Sequence, residues 1–226
     1  MGIISLNKAS RLYWLGRYTE RVYTGLKEVR PIYDISVDGG EGDFAPYCRK
    51  LGIPCDYADT ADFCKRYFFD RNNPNSLAAS LIYAYDNAIV LRETLTTDTL
   101  SYVFMAMSAM DKASQSDTPG VPLQWVKDDI MAFRGSCEEN IYDEEIRSMI
   151  KLGASVERVD LYLRLGEEPE KIRREFERLF NRLYKTQLQP DRERLNFLVD
   201  ALLDSSKPDA TASELIMALE GLFLDL

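Results

Sequence analysis

Two stretches of this chain pair a carboxylate with a guanidinium in the same setting. LGRYTERVY spans Leu15–Tyr23, and LGASVERVD spans Leu152–Asp160. Such residues offer three kinds of chemistry. Glu20 or Glu157 could act as a general base, which requires a carboxyl of raised pKa in a cleft. Arg17, Arg21 and Arg158 could hold a carboxylate or phosphate, for which a guanidinium fork is well shaped. Glu157 and Asp160, three residues apart on a helix, could share a cation such as Mg²⁺, although no further ligand set accompanies them.

The remaining residues exclude much other chemistry. The chain has no histidine, so a Ser-His-Asp triad or Cys-His pair is impossible and the commonest metal ligand is missing. Cys48, Cys55, Cys64 and Cys137 form no CxxC and lack zinc spacing. The opening MGIISLNKASR is too short and polar for a signal peptide, which predicts reduced, mostly buried thiols and a cytoplasmic protein. A net charge of −9 argues against sequence-independent nucleic-acid binding. No apolar run approaches the roughly 18 residues of a membrane span. No cofactor or metal is expected.

The elements that must position these residues read as helices. Leu12, Leu15, Thr19, Val22, Leu26 and Val29 form a seam at 3,4 spacing from about Lys8 to Val29, with Pro31 expected to end the helix. SVDGGEGDF is a loop. NNPNSLAASLIYAYDNAIVLRETL predicts a helix capped by Asn73, with Pro74 in its first turn and a seam through Leu77, Leu81, Ala84, Ala88, Leu91 and Leu95. TTDTLSYVFMAMSAM reads as Met-rich core, and residues from about Lys112 to Pro122 as a loop. Asp143, Glu144 and Glu145 suit a helix start. EPEKIRREFERLFNRLYKTQL reads as a solvated helix. The fold class is all-α, a bundle of about eight or nine helices in a single domain over 1–226, with a hairpin-level repeat possible between 8–111 and 123–226.

The two phrases match without a gap at one offset, 152 − 15 = 137, which also pairs Gly16 with Gly153, Glu20 with Glu157, Arg21 with Arg158, and Leu26 with Leu163. Two structurally equivalent helices follow. Each carries a glycine four residues before its glutamate, on the same face. Glycine costs about 1 kcal/mol against alanine inside a helix, so close approach of another backbone is the compensation to look for. The first helix is apolar or aromatic nearly all round, with Tyr13, Trp14, Tyr18 and Tyr23 off the seam. Its charges must therefore meet partners, water or a ligand. Two readings stand: an internal ion-pair network, or a polar pocket for a charged group.

LYWLGRYTERV, NNPNSLAASLIYAYDNAIVLRETL and the second LG…ERVD together resemble the bacterial Alpha-E domain family, in the same order and over most of the chain. Arg17, Glu20 and Arg21 match its first motif. Asn73, Pro74, Asn75 and Ser76 match its Asn-Pro-x-Ser element, Asn87 and Arg92 its polar helix, and Glu157, Arg158 and Asp160 its last motif. The chain departs from the pattern at Tyr85, Ile89 and Ala154, where arginine is more usual. The resemblance implies a helical companion of ATP-grasp-type ligases, transglutaminase-like proteins or Ntn-type hydrolases, in peptide synthesis, modification or tagging. The expectation is a non-catalytic protein binding an ATP-grasp ligase or its peptide substrate through its Glu-Arg faces, with Arg17, Arg21, Arg92 and Arg158 as candidates for carboxylate or phosphate contacts. An enzyme of amide-bond formation using Glu20 or Glu157 as base, and a pure scaffold, are the alternatives.

Overall fold

The computed structural model describes residues 5–204, 206, 209–223 and 226. Among them are eleven α-helices and no strand, more helices than the eight or nine expected. None of these helices is long and apolar enough to cross a membrane. The chain divides into two compact units that are not consecutive halves: Met1–Arg17 with Asp143–Leu226, and Tyr18–Tyr142. Helix α1 (Leu6–Glu28) contributes its first half to one and its second half to the other.

The unit Tyr18–Tyr142 continues from α1 into α2 (Arg30–Val37), α3 (Ala45–Leu51), α4 (Thr60–Phe69), α5 (Leu77–Val90), α6 (Thr97–Ser114) and α7 (Gly120–Asn140). Helix α6 lies along α7 and against α5, while α4 touches α2, α5 and α6. Helix α1 ends at Glu28, as expected ahead of Pro31, although Pro31 does not end helical structure altogether. It sits in the first turn of α2, where its missing N–H leaves nothing unsatisfied, and Val29, still helical, joins the two helices. Ser76, not Asn73, caps α5: its Oγ accepts from the Ala79 amide at 3.0 Å. Asn73 instead folds a turn by accepting from the Asn75 amide. The α6–α7 connection is only residues 115–119, because both helices extend into the expected loop. Helix α6 is not core throughout, since Phe104 and Met105 are exposed while Val103, Ala106 and Met110 are buried.

The other unit adds α8 (Glu144–Leu165), α9 (Pro169–Leu183), α10 (Arg192–Leu202) and α11 (Ala212–Glu220). Asp143 caps α8 by accepting from the Glu145 and Ile146 amides, and Thr211 with Glu214 forms a capping box on α11. Helix α8 packs on α9 and α11, and α10 on α11 and α9. Helix α9 is amphipathic rather than solvated all round, burying Ile172, Glu175, Phe176, Leu179 and Leu183.

Both seams are sealed. Leu12, Leu15, Thr19, Val22, Leu26 and Val29 are buried, as are Met149, Leu152, Val156, Val159 and Leu163. So are Leu77, Leu81, Ala84, Ala88, Leu91 and Leu95. Cys48, Cys64 and Cys137 are buried, Cys55 is exposed, and all four are free thiols. Burial pushes the Cys48 and Cys64 thiols up to about 12, so both stay protonated and unreactive near neutrality. Titration of the native chain with an aromatic disulfide reagent should show one fast thiol equivalent, lost in Cys55→Ser, with the remainder appearing only on unfolding. More than one fast equivalent would contradict this packing.

Candidate functional site

The glycines of the two phrases meet at a helix crossing. A Cβ on Gly16 would strike the carbonyl of Ile150, 2.9 Å from its carbon and 3.0 Å from the Ala154 amide nitrogen. A Cβ on Gly153 would strike the carbonyl of Tyr13, 2.8 Å from its carbon. The contact is reciprocal. Ile150 is the equivalent of Tyr13 at the same offset, 150 − 13 = 137, so each glycine receives the residue three before the other glycine. Helices α1 and α8 thus cross as a local pseudo-two-fold pair, with backbone touching backbone. This close approach is the compensation that the two mid-helix glycines required.

Above that crossing, Arg17 Nε donates to Glu157 Oε2 at 2.7 Å. Glu157 is 1% exposed. The Arg17 guanidinium also lies over the Trp14 ring at 4.9 Å. Burial opposes its charge, but the Glu157 carboxylate outweighs burial and holds Arg17 above its ordinary range, permanently protonated. Burial likewise pushes the Tyr13 phenol up to about 12 against the lowering influence of Arg17. Position 154, the equivalent of Arg17, is alanine, so the Arg17–Glu157 pair has no symmetric counterpart.

Glu20 is bound within its own unit. It is wholly buried at 0% exposure. Its Oε1 accepts from Thr24 Oγ1 and its Oε2 from Arg134 Nη2 on α7, both at 2.7 Å. Arg134 in turn lies over the Tyr23 ring at 4.4 Å. Arg21 sits against the Tyr18 ring at 5.6 Å. In the second phrase, Arg158 Nη1 donates to Glu175 Oε1 on α9 at 3.0 Å. The buried Glu175 also accepts from Ser155 Oγ and Arg178, and Arg182 reaches Ser155 and the Lys151 carbonyl. The glutamate and arginine of the second motif therefore turn to different helices and tie them to α8.

The other candidate residues lie elsewhere. Asn75 and Ser76 form the capping turn of α5, where Ser76 Oγ donates to the Asp70 carbonyl at 2.7 Å. Asn87 Nδ2 donates to the Tyr83 carbonyl one turn back. Arg92 lies past the end of α5, two-thirds exposed and facing Glu93. At 1.5 Å per residue, α5 separates Ser76 from Arg92 by roughly 20 Å. Asp160 Oδ2 accepts from Arg164 Nε at 2.9 Å, and Arg164 also reaches Glu220. No three His, Cys, Asp or Glu side chains among the described residues converge as a metal site would require. Arg134, Glu175, Arg164 and Thr24 complete these pairs, and none was singled out in the sequence. Thr24 and Arg164 carried a hint, each lying one turn after its carboxylate partner on the same face.

Asp160 is the exception to this pairing. It is 6% exposed and its Oδ1 has no hydrogen-bond partner among the described residues. Burial raises its pKa, helped by Glu157 and opposed by the Arg164 hydrogen bond. A carboxyl whose folded pKa lies above its unfolded value favours the folded state when protonated, and that contribution is lost as pH rises through the folded pKa. Asp160→Asn should therefore match or exceed the parent in stability near neutrality and lose its relative advantage in acid. Chemical denaturation at about pH 4 and about pH 7 measures this; a variant less stable at neutral than at acid pH, relative to the parent, would show that the charged form is the favoured one.

The fold and site define an all-helical protein in which the glutamates of paired Glu-Arg motifs are buried and bound by arginines of neighbouring helices. The chain belongs to the Alpha-E family, described as a predicted alpha-helical domain with a conserved ER motif, whose model matches residues 7–207. No curated protein and no solved structure matches it.

Proposed function

We propose that this chain is a non-catalytic helical binding protein, a companion of an ATP-grasp-type peptide ligase or of its peptide substrate. In this reading the Glu-Arg motifs hold the helices rather than perform chemistry. One observation carries it: Glu20 and Glu157 are 0% and 1% exposed, each with an arginine nitrogen at 2.7 Å. Both oxygens of Glu20 already accept hydrogen bonds, so neither is placed to receive a substrate proton. Exposed residues elsewhere are then the ones that meet a partner. The test mixes the purified chain with an ATP-grasp ligase and its peptide and follows complex formation by size-exclusion chromatography. A complex that survives in Glu20→Gln, provided the variant stays folded, supports the reading. Self-association alone would remove the companion role.

A second reading, an enzyme of amide-bond formation, draws on the unpartnered Oδ1 of Asp160, one helical turn from Glu157. It requires ligation activity in the isolated chain that disappears in Asp160→Asn while the fold persists.

A further inference from the structure

A groove of about 580 Å³ runs along the surface of the unit Tyr18–Tyr142, between α2 and the start of α7. Tyr33 and Val37 line one wall, and Val121 and Trp125 the other. Val37 is 64% exposed, Val121 60% and Trp125 46%, an unusual concentration of open apolar side chains around one concavity. Its size falls within the range of ligand sites. The wall residues of α2 follow 3,1,3 steps from Arg30 through Tyr33 and Asp34 to Val37, so a single helix face looks into the groove.

The charges of the groove are one-sided. Arg30 is neutralised by Asp34 at 2.7 Å. Asp117 and Asp128 also line the groove, and no cation pairs with either among the described residues. Asp128 accepts a neutral amide hydrogen, from Gln124 at 2.7 Å. Trp125 lines the groove with these acids, and its ring already carries the Lys112 ammonium at 5.8 Å. The chain itself thus shows that a basic side chain can settle on this indole.

We infer that this groove docks an extended peptide segment carrying one basic side chain among aliphatic ones. The aliphatic residues would cover Val37, Val121 and the Tyr33 edge, and the basic group would lie against Trp125 near Asp117 and Asp128. Helix α2 from Arg30 to Val37 offers about 10 Å of wall, enough for three or four extended residues. The inference goes beyond the companion reading and stands without it, because it depends only on the walls and charges of the groove.

The test uses the full chain and two blocked pentapeptides, Leu-Leu-Arg-Leu-Val and Leu-Leu-Glu-Leu-Val. Trp125 reports through its fluorescence, with Trp14 as the other tryptophan of the chain. The arginine peptide should give a saturable blue shift and bind about tenfold more tightly than the glutamate peptide, with the difference shrinking in high salt. Asp117→Asn/Asp128→Asn should bring the two peptides to within about threefold without changing the thermal melt. The shift should vanish in Trp125→Phe. Equal binding of the two peptides, no response up to about 1 mM peptide, or a shift that persists in Trp125→Phe would overturn the assignment. So would sedimentation showing a dimer that Val121→Asp dissociates, which would give the groove to a second copy of the chain.

Discussion

Gly16→Ala is expected to destabilise the protein by about 3 kcal/mol or more, against the intrinsic preference of a helix for alanine by about 1 kcal/mol. The added methyl would overlap the Ile150 carbonyl of α8. The obstacle is backbone, which cannot rotate aside as a side chain does, so α1 and α8 must separate at the crossing. Gly153→Ala should behave alike through the Tyr13 carbonyl. Because both substitutions force the same separation, the double variant should cost clearly less than the sum of the two. Gly135 supplies the control. It is mid-helix in α7, exposed, and an added Cβ there meets nothing within 4 Å, so Gly135→Ala should stabilise by about 0.5–1 kcal/mol. Urea unfolding of the four variants measures all of this, and a neutral or stabilising Gly16→Ala would disprove the close crossing.

The second large effect concerns the buried ion pairs. Glu157→Ala should cost about 3–5 kcal/mol, because it strands the Arg17 guanidinium with little access to water. Glu20→Ala should cost less. Its partner Arg134 has a quarter of its side chain exposed and can turn its charge outward, as partly exposed pairs allow. The discriminating variant is Arg17→Met/Glu157→Leu. Replacing both charges by apolar groups removes the desolvation cost together with the attraction, so most of the Glu157→Ala loss should be recovered. Circular dichroism melts of these variants decide the matter. If Glu20→Ala proves the more costly, the ranking by exposure is wrong.

The legible part of this molecule was the part governed by local periodicity. The seams of α1, α5 and α8 could be read from 3,4 spacing, and every seam position is buried. The mid-helix glycines were legible too, because a residue that costs helix stability without an evident local gain points to a close neighbour. Pro31 marks the end of α1 at Glu28, but a proline stops one helix and starts another with equal ease, and only the conformation of Val29 reveals that α2 follows at once. The Asn73 cap was displaced to Ser76 because Asn73 had an alternative use in a turn. The partners of the Glu-Arg motifs were not legible at all. Arg134 lies 114 residues from Glu20, and nothing in spacing selects it from the other arginines. Helix α9 looked solvated for a related reason: Glu175 reads as surface charge until Arg158 and Ser155 are brought to it.

The Gly16–Gly153 crossing also sets a timetable for synthesis. The two glycines are 137 residues apart, so the first half of α1 leaves the ribosome long before the helix that covers it exists. At about 5–20 residues per second, that interval is roughly 7–27 s. Through it Leu12 and Leu15 lack their final neighbours, while the second half of α1 can already settle against Leu77 and the residues around it. Helix α1 is therefore completed long after it is made, and its leading apolar half is where a nascent-chain chaperone would find this protein.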